Sequence, residues 1–125
     1  KNLFGLTDLR FETAPEDLST HDADVAFFAL PHGQAISLAP KMPKKVKIID
    51  LSGDFRIDEA EIFQKFYKLE QSDIQSEFVY GLTETNRERI KTADKIANPG
   101  CFATATLLAL APLVANKGGN PHVSK

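Results

Sequence analysis

Several residue types and segments are scarce in this chain, and each scarcity excludes a class of protein. It has one cysteine, so no internal disulfide can form and a reducing, cytoplasmic setting is expected. No apolar run approaches the roughly 20 residues that span a bilayer, and no signal peptide is visible. The formal net charge of −2 gives no reason to expect nucleic acid or an anionic membrane as partner. No cysteine/histidine cluster has zinc spacing, so no structural metal is expected.

A glycine-rich run of the G-x-G-x-x-G type, which cradles dinucleotide phosphates, is also missing from the chain. The chain opens with Lys1 instead of Met and stops at Lys125, shortly after the Gly118-Gly119 pair. We interpret these ends as those of a fragment. What is present is ordinary for a globular protein: 42% of the residues are hydrophobic and 26% are charged. This composition and length predict a single domain over residues 1–125.

Strand-like segments alternate with helical stretches along the chain, which indicates an α/β fold with a largely parallel sheet and flanking helices. The predicted strands are 7–12, 24–30, 44–51, 78–80 and 94–98. The predicted helices are 32–39, 59–69 with Asp58 as its cap, 83–93 and 102–115. The segment 24–30 is almost wholly apolar, as in a central strand of a parallel sheet. The last helix is so rich in alanine and leucine that we expect it to be buried.

The single cysteine, Cys101, lies where a predicted strand turns into a predicted helix through Pro99-Gly100. A helix N-terminus offers unpaired N–H groups and a partial positive charge of about half a unit. Both favour the reactive thiolate, and the same N–H groups could hold an oxyanion. A lone cysteine is more often an inert small hydrophobe. We favour a nucleophile, because the Pro-Gly turn exposes the position.

Three strand-end turns carry unusual polar residues: 30–33, 52–56 and 98–101. In a parallel sheet all three converge on the carboxyl edge, where ligands bind. His32 has either a functional role or that of an ordinary turn residue. Gly33 lets the backbone approach a ligand closely. Asp54 either caps a turn or contacts a ligand, and Arg56 either binds a carboxylate or phosphate or forms a solvated ion pair. The Thr104 hydroxyl either touches a substrate or bonds back to its own helix.

Taken together and in order, four strings resemble the N-acetyl-γ-glutamyl-phosphate reductase family of arginine biosynthesis. They are Phe-Phe-Ala-Leu-Pro-His-Gly at 27–33, Ile-Asp-Leu-Ser-Gly-Asp-Phe-Arg at 49–56, Tyr-Gly-Leu-Thr-Glu-Thr-Asn-Arg at 80–87 and Ala-Asn-Pro-Gly-Cys-Phe-Ala-Thr-Ala at 97–105. The similarity runs from about residue 20 to about residue 115. It implies a Rossmann-like domain, the cofactor NADPH and a small acyl phosphate as substrate. The aspartate-semialdehyde dehydrogenases share the cysteine chemistry but fit the first two strings less well.

The resemblance also assigns residues. Cys101 is implied as the nucleophile that forms a thioester before hydride transfer. The loop of Pro31, His32 and Gly33 is implied to lie along the cofactor. The substrate-facing residues are expected to be Ser52, Asp54, Arg56, Asn98 and Thr104, with Arg56 holding an anionic group.

Two parts of that family have no match here: the first glycine-rich βα unit and most of the catalytic domain, with its acid/base histidine. We therefore expect the isolated chain to be nearly inactive and to self-associate as a homo-oligomer through exposed apolar surface. Two other functions remain open. A cysteine hydrolase would need His32 within reach of Cys101, and a non-catalytic α/β binding module would keep Cys101 buried and unreactive.

Overall fold

The computed structural model describes residues 22–115, together with residues 7, 8, 10, 12, 13, 17 and 18. The predicted strand 7–12 therefore lies largely outside the described residues, as do the Gly118-Gly119 pair and both chain ends. Within the described part, no helix has the length and apolar character needed to cross a membrane.

One sheet of four parallel strands organises the described residues. The strands are β1 (Val25–Phe28), β2 (Lys47–Asp50), β3 (Val79–Tyr80) and β4 (Lys95–Ala97), in the order β1-β2-β4-β3. Every neighbouring pair is parallel, so the carboxyl ends of all four strands lie at one edge. The predicted α/β class with a largely parallel sheet is confirmed.

Four helices accompany the sheet: α1 (Gln34–Leu38), α2 (Ala60–Tyr67), α3 (Thr83–Thr92) and α4 (Cys101–Ala115). A 3₁₀ turn follows α1 and includes Pro40, because proline cannot continue the α-helical hydrogen bonding. Helix α2 is shorter than predicted, and Asp58 is not its cap: the N-cap position is Glu59, without a side-chain cap bond. The helix ends at Lys68, whose φ of 55° is left-handed.

The core of the described residues joins strands of the sheet to α1, to the 3₁₀ turn and to the turn after β2. Its buried members are Phe28, Ala35, Ala39, Ile48, Phe55, Phe78 and Ala97. The rings of Phe55 and Phe78 stack in parallel with centroids 3.8 Å apart. Phe55 belongs to the turn after β2, so the same packing that buries the sheet face also fixes that turn.

Two expectations about burial are wrong in the described structure. Strand β1 is an edge strand, and its Phe27 side chain is 65% exposed. Helix α4 is not buried, because Phe102 is 86% exposed and Leu113 is 65% exposed. The physical reason is the same in both cases: apolar composition predicts burial against a neighbour, and the described residues supply none on those sides.

Candidate active site

The turns that follow β1, β2 and β4 meet at the carboxyl edge of the sheet, as the sequence predicts. The N–H of Leu51 donates to the carbonyl of Phe28 at 2.8 Å, and the N–H of Asn98 donates to the carbonyl of Asp50 at 2.8 Å. Each bond joins the first residue after one strand to the last residue of its neighbour. The turns that carry His32, Asp54 and Cys101 therefore start side by side.

The carboxylate of Asp54 fastens the loop after β1. It accepts hydrogen bonds from the N–H of Gly33 at 3.0 Å and from the N–H of Ala35 at 3.1 Å. The Nδ1 atom of His32 lies 2.6 Å from an oxygen of the same carboxylate. Asp54 is fully buried, whereas the His32 side chain is 44% exposed. A buried acid thus holds an exposed histidine at the rim of the site.

Gly33 takes a conformation that disfavours other residues. Its φ of 83° is left-handed, and a Cβ there would meet a methyl carbon of Leu69 at 3.2 Å. Gly33 adopts this conformation in a loop where two consecutive residues, His32 and Gly33, both contact the carboxylate of Asp54. On its other side the His32 ring contacts Tyr67 edge-on, with centroids 4.3 Å apart.

A chain of buried hydrogen bonds shapes the turn after β2. The Ser52 hydroxyl donates to Asp50 at 2.9 Å and accepts from the N–H of Asp54 at 3.1 Å, while the Ser52 N–H donates to Asp50 at 3.1 Å. Burial raises the pKa of Asp50 above the usual aspartate range, and the hydrogen bonds from Ser52 oppose this only in part. The turn is therefore built around a carboxylate that is costly to ionise.

Arg56 ties the ends of two adjacent strands together. Its Nε donates to the carbonyl of Asn98 at 2.8 Å, and its Nη2 donates to the carbonyl of Leu51 at 3.1 Å. The side chain also lines a cavity of about 220 Å³. Other residues of that cavity wall include Phe55, Tyr80, Asn86 and Leu107. Burial raises the pKa of the Tyr80 hydroxyl, and the nearby Arg56 guanidinium partly offsets that effect.

Cys101 is the first residue of α4, and it is a free, exposed thiol. The predicted position at a helix N-terminus is confirmed, and the structure contradicts the alternative of a buried cysteine. Thr104 bonds back to its own helix: both its N–H and its hydroxyl donate to the carbonyl of Gly100, at 2.9 and 3.0 Å. Its hydroxyl is therefore engaged by the backbone of the cysteine turn.

The proposed substrate-facing residues divide by exposure. Asn98 is exposed and Arg56 is half-buried, so both are open to a ligand. Ser52 and Asp54 do not meet the expectation of facing a substrate, because both side chains are buried and their polar atoms are hydrogen-bonded inside the turns. The sequence left Asp54 open between a cap and a ligand contact, and the observed bonds are those of a cap.

Two neighbours of the site were not found from the sequence. Tyr67 packs against His32 from the end of α2, and the buried Gln75 donates to the carbonyls of Asp54 at 3.2 Å and of Ile57 at 2.9 Å. The sequence around these two residues indicates helix and loop, but it contains no polar motif that would mark them as neighbours of the site. The amphipathic pattern of α2 predicted an apolar face but not the turn that this face covers.

The loop after β1 is accessible to a dinucleotide. Pro31 and His32 are exposed and Gly33 is half-buried at the carboxyl edge, where dinucleotides bind in open α/β sheets. No cluster of three or more histidine, cysteine or acidic side chains suited to a metal occurs among the described residues.

The chain matches the family described as "Semialdehyde dehydrogenase, NAD binding domain" over residues 1–93. That range includes the turns after β1 and β2 and stops before β4 and Cys101.

Three curated relatives are each named N-acetyl-gamma-glutamyl-phosphate reductase. The protein from Methanococcus maripaludis strain C6 is 44% identical over 118 residues, which cover 93% of this chain and 34% of that relative. The protein from Bordetella pertussis is 46% identical over 125 residues, covering 98% and 34%. The protein from Acinetobacter baylyi is 47% identical over 116 residues, covering 90% and 33%. The chain thus spans about a third of the length of these relatives, and an alignment that covers 98% of it includes Cys101.

Proposed function

Because this chain belongs to the semialdehyde dehydrogenase family, whose NAD-binding domain it carries, we propose that it forms part of an acyl-phosphate reductase. The substrate is N-acetyl-γ-glutamyl phosphate, and the product is the corresponding 5-semialdehyde. The names of the curated relatives support this substrate. The observation that carries the proposal is the exposed thiol of Cys101 at the start of α4, on the sheet edge that also presents the loop of Pro31, His32 and Gly33.

The role of Cys101 follows from its position. Its thiolate attacks the acyl carbon, the carbon–oxygen bond to the phosphate breaks, and inorganic phosphate leaves with its oxygen and the electron pair. The acyl group remains on sulfur as a thioester, and the thiol proton passes to solvent or to a base. The leading N–H groups of an α-helix have no partner within the helix, and in this proposal those at the start of α4 donate hydrogen bonds to the oxyanion on the attacked carbon.

NADPH, when bound, supplies the hydride that reduces the acyl carbon of the thioester. The sulfur of Cys101 then leaves as thiolate and the aldehyde is released, so one difficult reduction is divided into two easier steps. Pro31, His32 and Gly33 hold one side of the cofactor at the carboxyl edge of the sheet. A thiol nucleophile of this kind suits the reducing cytoplasm.

Arg56 contributes an anion-binding function at the same edge. Two of its donors are bound by the carbonyls of Asn98 and Leu51, which leaves the Nη1 group and one Nη2 hydrogen for a carboxylate or phosphate oxygen. The adjoining cavity of about 220 Å³ combines this guanidinium with apolar wall residues such as Phe55 and Leu107 and with polar ones, among them Asp58. That combination suits a small acidic substrate with a short carbon chain.

The 125 residues act as one part of the reductase and do not turn over substrate alone. Among the described residues His32 is the only histidine, and its Nδ1 is held by Asp54. The acid/base group and the pyrophosphate cradle belong to other parts of the reductase.

Steady-state kinetics of the complete reductase that carries this chain test the proposal. Cys101→Ser should abolish the NADPH oxidation that depends on N-acetyl-γ-glutamyl phosphate, while Thr106→Ser, on the same helix, should retain it. β-Aspartyl phosphate tests the related aspartate-semialdehyde activity, and we expect it to be a poor substrate. Retained turnover in Cys101→Ser would contradict the proposed nucleophile, and a preference for β-aspartyl phosphate would contradict the proposed substrate.

A further inference from the structure

We infer that Arg56 is a positioning residue for Cys101: it clamps the turn between β4 and α4 and thereby sets where the nucleophile stands. This inference rests on the proposed function of Cys101. It adds a second role to a residue expected only to bind an anion.

The clamp consists of two directed hydrogen bonds from one rigid group. The Nε and Nη2 atoms of Arg56 donate to the carbonyls of Asn98 and Leu51, which are the first residues after β4 and β2. Those two strands pair directly in the sheet. Because the guanidinium is planar and its donors have fixed relative positions, the two carbonyls are held at a defined separation.

The clamp acts close to the nucleophile. Only Pro99 and Gly100 separate the bound carbonyl of Asn98 from Cys101. The proline ring fixes one of the four backbone angles between them near −65°. The carbonyl of Gly100 then accepts both hydrogen bonds from Thr104, which fastens the first turn of α4 to the same segment. Movement of the Asn98 carbonyl would therefore shift the start of α4 and its sulfur.

The glycine at position 100 makes room for this arrangement. A Cβ on Gly100 would lie 3.0 Å from Nη1 of Arg56, which is tighter than an ordinary van der Waals contact. The guanidinium cannot retreat without lengthening its bonds to Asn98 and Leu51. Gly33 is the one described glycine with positive φ, so alanine at position 100 meets a steric obstacle and not a backbone one. Gly100→Ala therefore disturbs the clamp while leaving the charge of Arg56 in place.

The test compares Arg56→Lys and Gly100→Ala in the complete reductase, with Arg89→Lys as the control at an exposed position of α3. Lysine keeps the charge but lacks the rigid planar fork that holds the two carbonyls at a fixed separation. Misplacement of a reacting group by about 1 Å can cost about 100-fold in rate. We expect both variants to lose kcat by about that factor, with little change in KM for the acyl phosphate in Gly100→Ala, which keeps the charge and the free donors of Arg56. We also expect slower alkylation of Cys101 by neutral iodoacetamide without substrate.

Three results would overturn the inference. A raised KM with an unchanged kcat and unchanged alkylation in Arg56→Lys would make Arg56 an anion ligand alone. Native kinetics in Gly100→Ala would show that the close contact has no consequence. Lost nicotinamide binding in both variants would show a general loss of the fold instead of a local displacement. The alkylation assay needs no turnover, so it distinguishes a failed clamp from failure of the proposed reaction, which Cys101→Ser tests separately.

Discussion

At the scale of single residues, Asp54 connects the loop after β1, the proposed cofactor loop, to the core. Its fully buried carboxylate receives two backbone N–H groups and lies against His32. The sequence suggested a cap or a ligand contact but not the partners, because Gly33 lies 21 positions earlier in the chain. Short polar motifs predict which residues occupy a turn, whereas the packing of β1 against β2 decides which turns meet.

Replacement of Asp54 by asparagine should destabilise the protein. The amide group would place donor hydrogens against the N–H groups of Gly33 and Ala35, leaving a buried polar group unsatisfied at a cost of about 1–3 kcal/mol. Urea-induced unfolding measures the effect. Asp94→Asn is the matched control, since that side chain is 73% exposed and pairs only with Lys47 at the surface, where an ion pair contributes about 0–1 kcal/mol. Equal losses in the two variants would contradict the assigned role of Asp54.

Asp50 should make stability depend on pH in a defined direction. Burial raises the pKa of this carboxyl in the folded state, so the folded protein keeps a proton that the unfolded chain releases near pH 3.9. The contribution of this residue to the free energy of unfolding therefore falls as the pH rises from its pKa in the unfolded state to its pKa in the folded state. Above the folded-state pKa the contribution stays at its lower value. Asparagine at this position cannot ionise, so the Asp50→Asn variant lacks this decrease in the free energy of unfolding.

We expect Asp50→Asn to gain stability relative to the native protein between pH 4 and pH 7. Urea unfolding at the two pH values measures the difference. Asp22→Asn is the control, because it makes the same chemical change at a side chain that is 97% exposed. Parallel pH dependences for Asp50→Asn and the native protein would show that the buried carboxyl does not titrate as described.

At the scale of elements, the sequence predicted the type and order of the helices and strands better than their burial and their neighbours. Proline, glycine and short apolar runs marked the limits of β2, β4 and α1 well, because those signals act within a few residues. Within the described residues, the predicted central position of β1 and the predicted burial of α4 are wrong, since burial depends on neighbours that a local pattern cannot identify. The clamp of Arg56 lay out of reach for the same reason, because it joins residues 42 positions apart.

The exposed apolar side of α4 leads to a prediction about association. Phe102, Leu110, Leu113 and Val114 are all exposed, and such patches favour contact with another apolar surface. The expected homo-oligomer remains a prediction, and sedimentation velocity of the chain over a range of concentrations tests it. We expect a concentration-dependent rise in the sedimentation coefficient that Leu113→Glu diminishes and Glu88→Gln, on exposed α3, does not. A concentration-independent monomer would contradict it.

At the scale of the whole molecule, three turns from separate strands form one rim because every strand pair is parallel. The rim presents His32 on one side and Cys101 on the other, with Arg56 joined to the strand ends between them. The proposed reduction of an acyl phosphate needs three parts: an edge that binds the cofactor, a nucleophile and a cation. It also needs a scaffold that keeps their spacing fixed.

The most direct measurement is the mass of the complete reductase after mixing with N-acetyl-γ-glutamyl phosphate in the absence of a nicotinamide cofactor. If Cys101 forms the thioester, we expect a single added acyl group, located by peptide mapping on the segment that contains Cys101 and removed by hydroxylamine. Release of inorganic phosphate should match the acyl group in amount. An unmodified protein, or an acyl group on any other residue, would contradict it.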